Sequence, residues 1–388
     1  YGILAGETFC HCHQRVLLRG GIMHFDHLPA ELVLHIFRSC DTILDVLNLA
    51  AVNRRCRRIF QSSQKLTLLM GAAEAEFGPV EDIIQLVTQN ASQPAHVRRH
   101  AALSMPLLRQ IVEVGRVAQH WEEIYPLKKW KTDYENRRLL TDDERYRLRR
   151  AVYRLWLYHR AFHNRAYDRF TRCQRSVIME RAQLLHNWST EELAEIEDLR
   201  MVIQDVIQNN ICPSNGTIQR KYRKRYPDTT QPLTFNIQFS SRPNYVRFGR
   251  MYHGNQLDNT SAYHTYYHHS PIKQTTSQTA LKLRADPFHD PGDEGWGDEI
   301  PHYYVVQDML KLDPGQVLYL QRHAPLKEQV ESYVRSLGED WFRDNGETFG
   351  DTLAWVMRER GEEWAWEGGG LREMIEKGLG GIAVKAAN

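Results

Sequence analysis

The sequence predicts a mainly α-helical protein: a short three-helix module, then a larger helical body, interrupted around 213–300 by an irregular segment. Three observations carry this expectation. Apolar residues recur at three- and four-residue spacing through 28–60 and again through 80–212. Thr141 with Glu144, and Ser189 with Glu192, stand at the head of such stretches as capping boxes, in which side chain and backbone satisfy each other's end groups. Strand-like alternation is confined to Leu233, Phe235, Ile237 and Phe239 in "LTFNIQF", where "YVRFGRMY" beyond it would complete a β-hairpin.

The chain has 388 residues and 42% hydrophobic content, enough for two domains. The expected divisions are an extension at 1–22, the module at 23–66 and a helical domain at 80–212. An irregular linker at 213–300, a helical segment at 301–367 and a tail at 368–388 follow. Formal net charge is only +2, so any electrostatic role must be local. Six sparse, irregularly spaced cysteines suit reduced thiols in the cytoplasm or nucleus. No apolar run nears the roughly 20 residues of a membrane span, so no membrane partner is expected.

The module opens with "FDHLPAELVLHIFRSC" (25–40), which is apolar on more than one side. Leu28, Leu32, Ile36 and Cys40 make one stripe, and Val33 and Phe37 a second. A surface helix that packs on its own protein needs only one. Asp41-Thr42 breaks the chain before a helix with Val46, Leu49, Ala50 and Val52. Asn53 breaks it again before a basic helix with Ile59 and Phe60 inward. Three such short helices carry more apolar surface than they can hide, and such a surplus marks an interaction face. The alternative is a plain helical hairpin packed on the protein's own core.

In the body, Leu148, Val152, Leu155, Phe162, Ala166 and Phe170 follow the first capping box at helical period, and Leu193, Ile196, Leu199, Ile203 and Val206 follow the second. Residues 213–300 are rich in Ser, Thr, Asn, Gln, Pro and His, as loops are. Helical character returns at 303–312, 326–337 and 348–360.

Residues 25–60 resemble an F-box, the motif by which substrate receptors dock on SCF-type ubiquitin ligases. The resemblance rests on Leu28-Pro29 followed by Glu31-Leu32, on Ile36-Phe37, on Asp45-Val46-Leu47 with Leu49, and on Val52 before Asn53-Arg54-Arg55. Cys40 stands where the pattern commonly has an aliphatic and Cys56 where it has an aromatic; free cysteine packs as a small hydrophobe. The resemblance implies docking on a Skp-type adaptor, and through it on a cullin, by Leu28, Pro29, Leu32, Ile36, Phe37, Val46, Leu47 and Val52, with Ile36 and Phe37 as central anchors. It implies a substrate-recruiting subunit that is not an enzyme itself and needs no cofactor. The protein substrate is unknown, and no known repeat platform follows the motif.

Other stretches compete. "CHCH" at 10–13 offers soft ligands, but their spacing does not suit a tetrahedral zinc ion, so no metal site is expected. From Lys128 to Arg175 there are fifteen Lys or Arg against six acids, interleaved with Trp130, Tyr134, Tyr146, Tyr153, Trp156 and Tyr158. Nucleic-acid binders use that mixture, which makes a basic helical nucleic-acid-binding protein the alternative reading. An adaptor-bound structural protein outside the ligase is another. "RKYRKR" at 220–225 reads as an import signal or a solvated linker, and His264, His268 and His269 as surface histidines. The sequence has no nucleophile elbow, phosphate-binding loop or zinc-protease motif, so no catalytic residues are assigned.

Overall fold

A computed structural model describes residues 28–213, except 63, 165, 168–170 and 172–173; it also describes 224, 306, 309–337, 347–362 and 370–384. The extension at 1–22, "CHCH", most of "RKYRKR", the hairpin stretch and the three-histidine cluster all lie outside these residues. The protein is mainly helical, with no strand among the described residues. It divides into two compact units, Tyr1–Glu76 and Phe77–Asn388.

In the first unit, α1 (Ala30–Arg38), α2 (Ile43–Val52) and α3 (Arg54–Phe60) lead into α4 (Lys65–Phe77), within which the unit ends. Each break has a local cause. Pro29 is the N-cap of α1, where a missing N–H costs nothing. Thr42 Oγ1 accepts from the Asp45 N–H at 3.0 Å to start α2. Asn53 ends α2 and starts α3, its side chain accepting from the Cys56 N–H at 2.7 Å. Helix α3 packs on both α1 and α2. The Arg55 guanidinium donates to the Leu28 carbonyl, and the Ile43 N–H donates to Glu76 at 2.9 Å.

The second unit is a helical array built on α5 (Val80–Thr88), α6 (Met105–Lys129), α7 (Asp142–Phe162), α8 (Arg175–His186) and α9 (Thr190–Val206), the last running into a π-helical turn at Ile207–Ile211. Both expected capping boxes are present, at Thr141 and Ser189. Helix α7 stops at Phe162, earlier than the period through Ala166 and Phe170 suggests. The stretches 89–104 and 130–141 are not helical.

Helix α7 packs on α5, α6 and α9 and is buried almost throughout its second half. Its tyrosines find polar ends inside the core: the Tyr153 hydroxyl donates to the Phe77 carbonyl at 2.8 Å, and Tyr158 shares hydrogen bonds with Thr348 and Thr352. The C-terminal helices α10 (Pro314–His323), α11 (Lys327–Ser336), α12 (Phe349–Glu359) and α13 (Gly370–Glu376) complete the unit. Helix α12 lies on α8 and α9, α13 on α9, and α10 on α6, α7 and α9.

The expected tail from 368 needs correction in part, because α13 and the turn beyond it are core. Leu371, Ile375 and Ile382 are buried, and the Ile382 N–H donates to Asp198 at 3.0 Å. At Gly381, φ is +90° and an added Cβ would meet Asp198 Oδ2 at 2.5 Å, so glycine is required for this close approach.

Candidate docking face

The eight residues singled out in 28–52 separate into two groups once the helices are packed. Phe37 and Val46 are completely buried within the first unit. With Val33, Ala50, Cys56 and Phe60 they form its small core, in which the Phe37 and Phe60 rings stack at 5.9 Å. Leu28 and Ile36 are half-buried. Pro29 is exposed, and Leu32, Leu47 and Val52 remain 49%, 45% and 64% exposed. Phe37 therefore supports the face from inside, and the expected central anchors reduce to Ile36 among side chains a partner could reach.

The structure adds Leu44, 64% exposed, to this group. The signal for it lay in the sequence, since Leu44 precedes Leu47 by three and Val52 by eight, on one side of α2. Helix α2 is apolar on both sides: Val46 and Ala50 turn inward, while Leu44, Leu47 and Val52 turn outward. A short helix that leaves three large aliphatics 45–64% exposed gives up about 1–2 kcal/mol of burial for each, which a partner surface can recover.

The two substituted cysteines behave as packing groups. Cys56 is buried, and Cys40 donates weakly to the Ile36 carbonyl at 3.4 Å. Burial, then the nearby Asp45 and Asp41 carboxylates, raise the Cys40 thiol's pKa, which lowers the share of reactive thiolate.

The basic region 126–175 has a different fate. Lys128 and Lys131 reach Asp205 at 2.8 and 3.1 Å, and Lys129 reaches Asp198 at 2.8 Å. Arg138 forks onto Glu144, and Arg149 faces Glu122 at 3.4 Å. Arg150 bridges to Glu192 and Glu195, and Arg154 to Asp82 and Glu192. Most partners come from α6, α5 and α9, so these seven cations are tied down within the fold instead of standing free for phosphates. The interleaved rings follow: Trp130, Tyr153 and Tyr158 are buried, while Tyr134 and Tyr146 stay exposed.

Among the described residues no three His, Cys, Asp or Glu side chains cluster so as to hold a metal ion. No described helix is long and apolar enough to cross a membrane. No family model, curated protein or solved structure matches this chain.

Proposed function

We propose that this chain is the substrate-recruiting F-box subunit of an SCF-type ubiquitin ligase, docking on a Skp-type adaptor through α1 and α2 and reaching a cullin through it. The observation that carries the reading is the surplus on the first unit. Its core is already closed by Phe37, Val46, Cys56 and Phe60, yet Leu32, Leu44, Leu47 and Val52 stand in water. Apolar side chains at helical spacing on an exposed helix are what a groove on a helical partner recognises. The Leu-Pro opening and the Asp45-Val46-Leu47 sequence give the partner its identity by resemblance. In this role the chain does no chemistry and raises the local concentration of substrate near a conjugating enzyme.

The nucleic-acid alternative has fewer free cations to draw on than the sequence suggests, because Lys128, Lys129, Lys131, Arg149, Arg150 and Arg154 pair with carboxylates of neighbouring helices.

The test is co-expression of the full chain with a Skp-type adaptor, followed by size-exclusion chromatography and a second run with cullin present. Wild type should co-elute with the adaptor and recruit cullin, and a Leu47→Asp/Val52→Asp variant should do neither. Co-elution with adaptor but not cullin would favour a structural partner outside the ligase. A wild-type chain that ignores the adaptor would end the proposal.

A further inference from the structure

We propose that the second unit carries a cleft of its own that binds a Lys- or Arg-bearing segment of a partner protein. The cleft, about 1090 Å³, lies where the C-terminal ends of α6 and α13 meet the 130–141 loop, the first turn of α7 and the middle of α9. Small-ligand sites occupy roughly 300–1,000 Å³, so this one has room for several residues of peptide. Trp130, Met201, Val202 and Ala383 contribute apolar lining.

The charges on the lining point to the sign of the occupant. Three of its cations are already engaged from within: Lys128 by Asp205, Lys129 by Asp198 and Arg138 by Glu144. Among the remaining carboxylates, Glu135, Asp143 and Glu376 are exposed and form no ion pair with a described cation. Against them stand Arg137, lying 5.2 Å over the Tyr134 ring, and Arg147. The C-terminal ends of α6 and α13 add partial negative charge, set against one helix N-terminus at α7.

The loop also shows how a guanidinium is held here. Arg138 sits 5.2 Å over the Trp130 ring while forking onto Glu144 at 2.5 and 2.6 Å. Ring face plus carboxylate is a strong combination for arginine. The exposed acids offer an incoming cation the second of these devices. On the flanking elements Tyr134 and Leu139, 72% and 80% exposed, present large apolar groups at the surface of the same loop. Apolar groups beside a concave, acid-rimmed surface suit a peptide that alternates basic and apolar residues.

This inference concerns the second unit alone and stands apart from adaptor docking, so either can fail without the other. If both hold, the cleft is a surface where substrate is recognised.

The test uses the full chain and fluorescence anisotropy at physiological salt. Two labelled dodecapeptides share the same apolar residues, one carrying four arginines and the other four glutamates. The arginine peptide should bind saturably and the glutamate peptide should not. Glu135→Lys/Glu376→Lys, at exposed sites, should weaken binding about tenfold by removing and reversing two exposed charge contacts. Hydrogen exchange of the wild type should slow in 130–141 and 376–384 when the arginine peptide is added, a readout independent of any variant's folding. Equal affinity for both peptides, no saturable binding, an unaffected folded variant, or protection confined elsewhere would each overturn the proposal.

Discussion

Replacing Phe37 by Ala separates folding from docking in the first unit. Phe37 is fully buried and stacked on Phe60, in a core shared with Val33, Val46, Ala50 and Cys56. Truncating a buried Phe to Ala costs about 3–5 kcal/mol, transfer and cavity together. At roughly 0.05–0.15 kcal/mol per residue, the stretch 28–76 has only about 2–7 kcal/mol of stability in total. The substitution is therefore comparable to everything that holds the unit together. Leu47→Asp sits on the outer side of α2, where Leu47 is 45% exposed, and should cost about 1–2 kcal/mol, less than the Phe37 change.

The assay is hydrogen exchange across residues 30–60 of the full chain, paired with adaptor binding. Phe37→Ala should lose protection in 30–60, keep it in α6, α7 and α9, and lose the adaptor as a consequence. Leu47→Asp should keep protection and lose the adaptor by about tenfold or more, as exposed anchors do at interfaces. A Phe37→Ala chain that stays protected and still binds would refute the division of these residues into core and face. A Leu47→Asp chain that binds normally would refute the outer face as the docking surface.

Three further outcomes follow from the second unit. His159 is buried with its Nδ1–H donating to the Leu312 carbonyl at 3.0 Å, and its Nε2 has no hydrogen-bond partner among the described residues. Burial, reinforced by the nearby Arg200 charge, lowers its pKa from 6.5 to about 3. The unfolded state then binds the extra proton, so stability is full above pH 6.5 and falls as pH drops toward 3; at pH 5.5 the loss is about 1.4 kcal/mol. His159→Gln keeps the donor and should remove that slope in urea titrations. Asp313, raised to about 6 by burial, acts oppositely in both proteins, so the difference between them is the readout, and equal slopes would count against the assignment.

Glu197→Ala should cost about 3–5 kcal/mol in denaturant titration, because it strands a buried cation. Arg200 donates to Glu197 at 2.6 and 2.9 Å and would keep the longer bond to Glu347 at 3.4 Å and the nearby Asp351 charge, while Arg372 would also lose its contact. A loss under about 1 kcal/mol, the scale of an exposed pair, would show the network is not stabilising. Gly115→Ala would place a Cβ 2.4 Å from the Phe77 ring, forcing a shift worth about 1–3 kcal/mol; an unchanged melting temperature would contradict this packing.

Helix positions and their caps were legible in the sequence because they are local. Thr141 with Glu144, Ser189 with Glu192, and the breaks at Thr42 and Asn53 each use atoms within a few residues, and the structure places caps at all of them. What periodicity left open was which side of α1 and α2 faces inward. Both helices carry apolar residues on two sides, so only packing against α3 put Phe37 and Val46 inside and left Leu32, Leu44, Leu47 and Val52 outside.

The basic run illustrates the same limit. Its fifteen cations were visible, but several pair with acids tens of residues away, as Lys128 and Asp205 or Arg150 and Glu195 show. The stretch from 368 reads as a tail in the sequence, yet Ile382 is buried with its N–H on Asp198. The sequence by itself determined that the protein is mainly helical, where several helices are capped, and that the first of them carry surplus apolar surface. The tertiary structure decided which of those side chains remain exposed and which charges are already paired. Burial and ion pairing depend on long-range contacts that local spacing cannot encode.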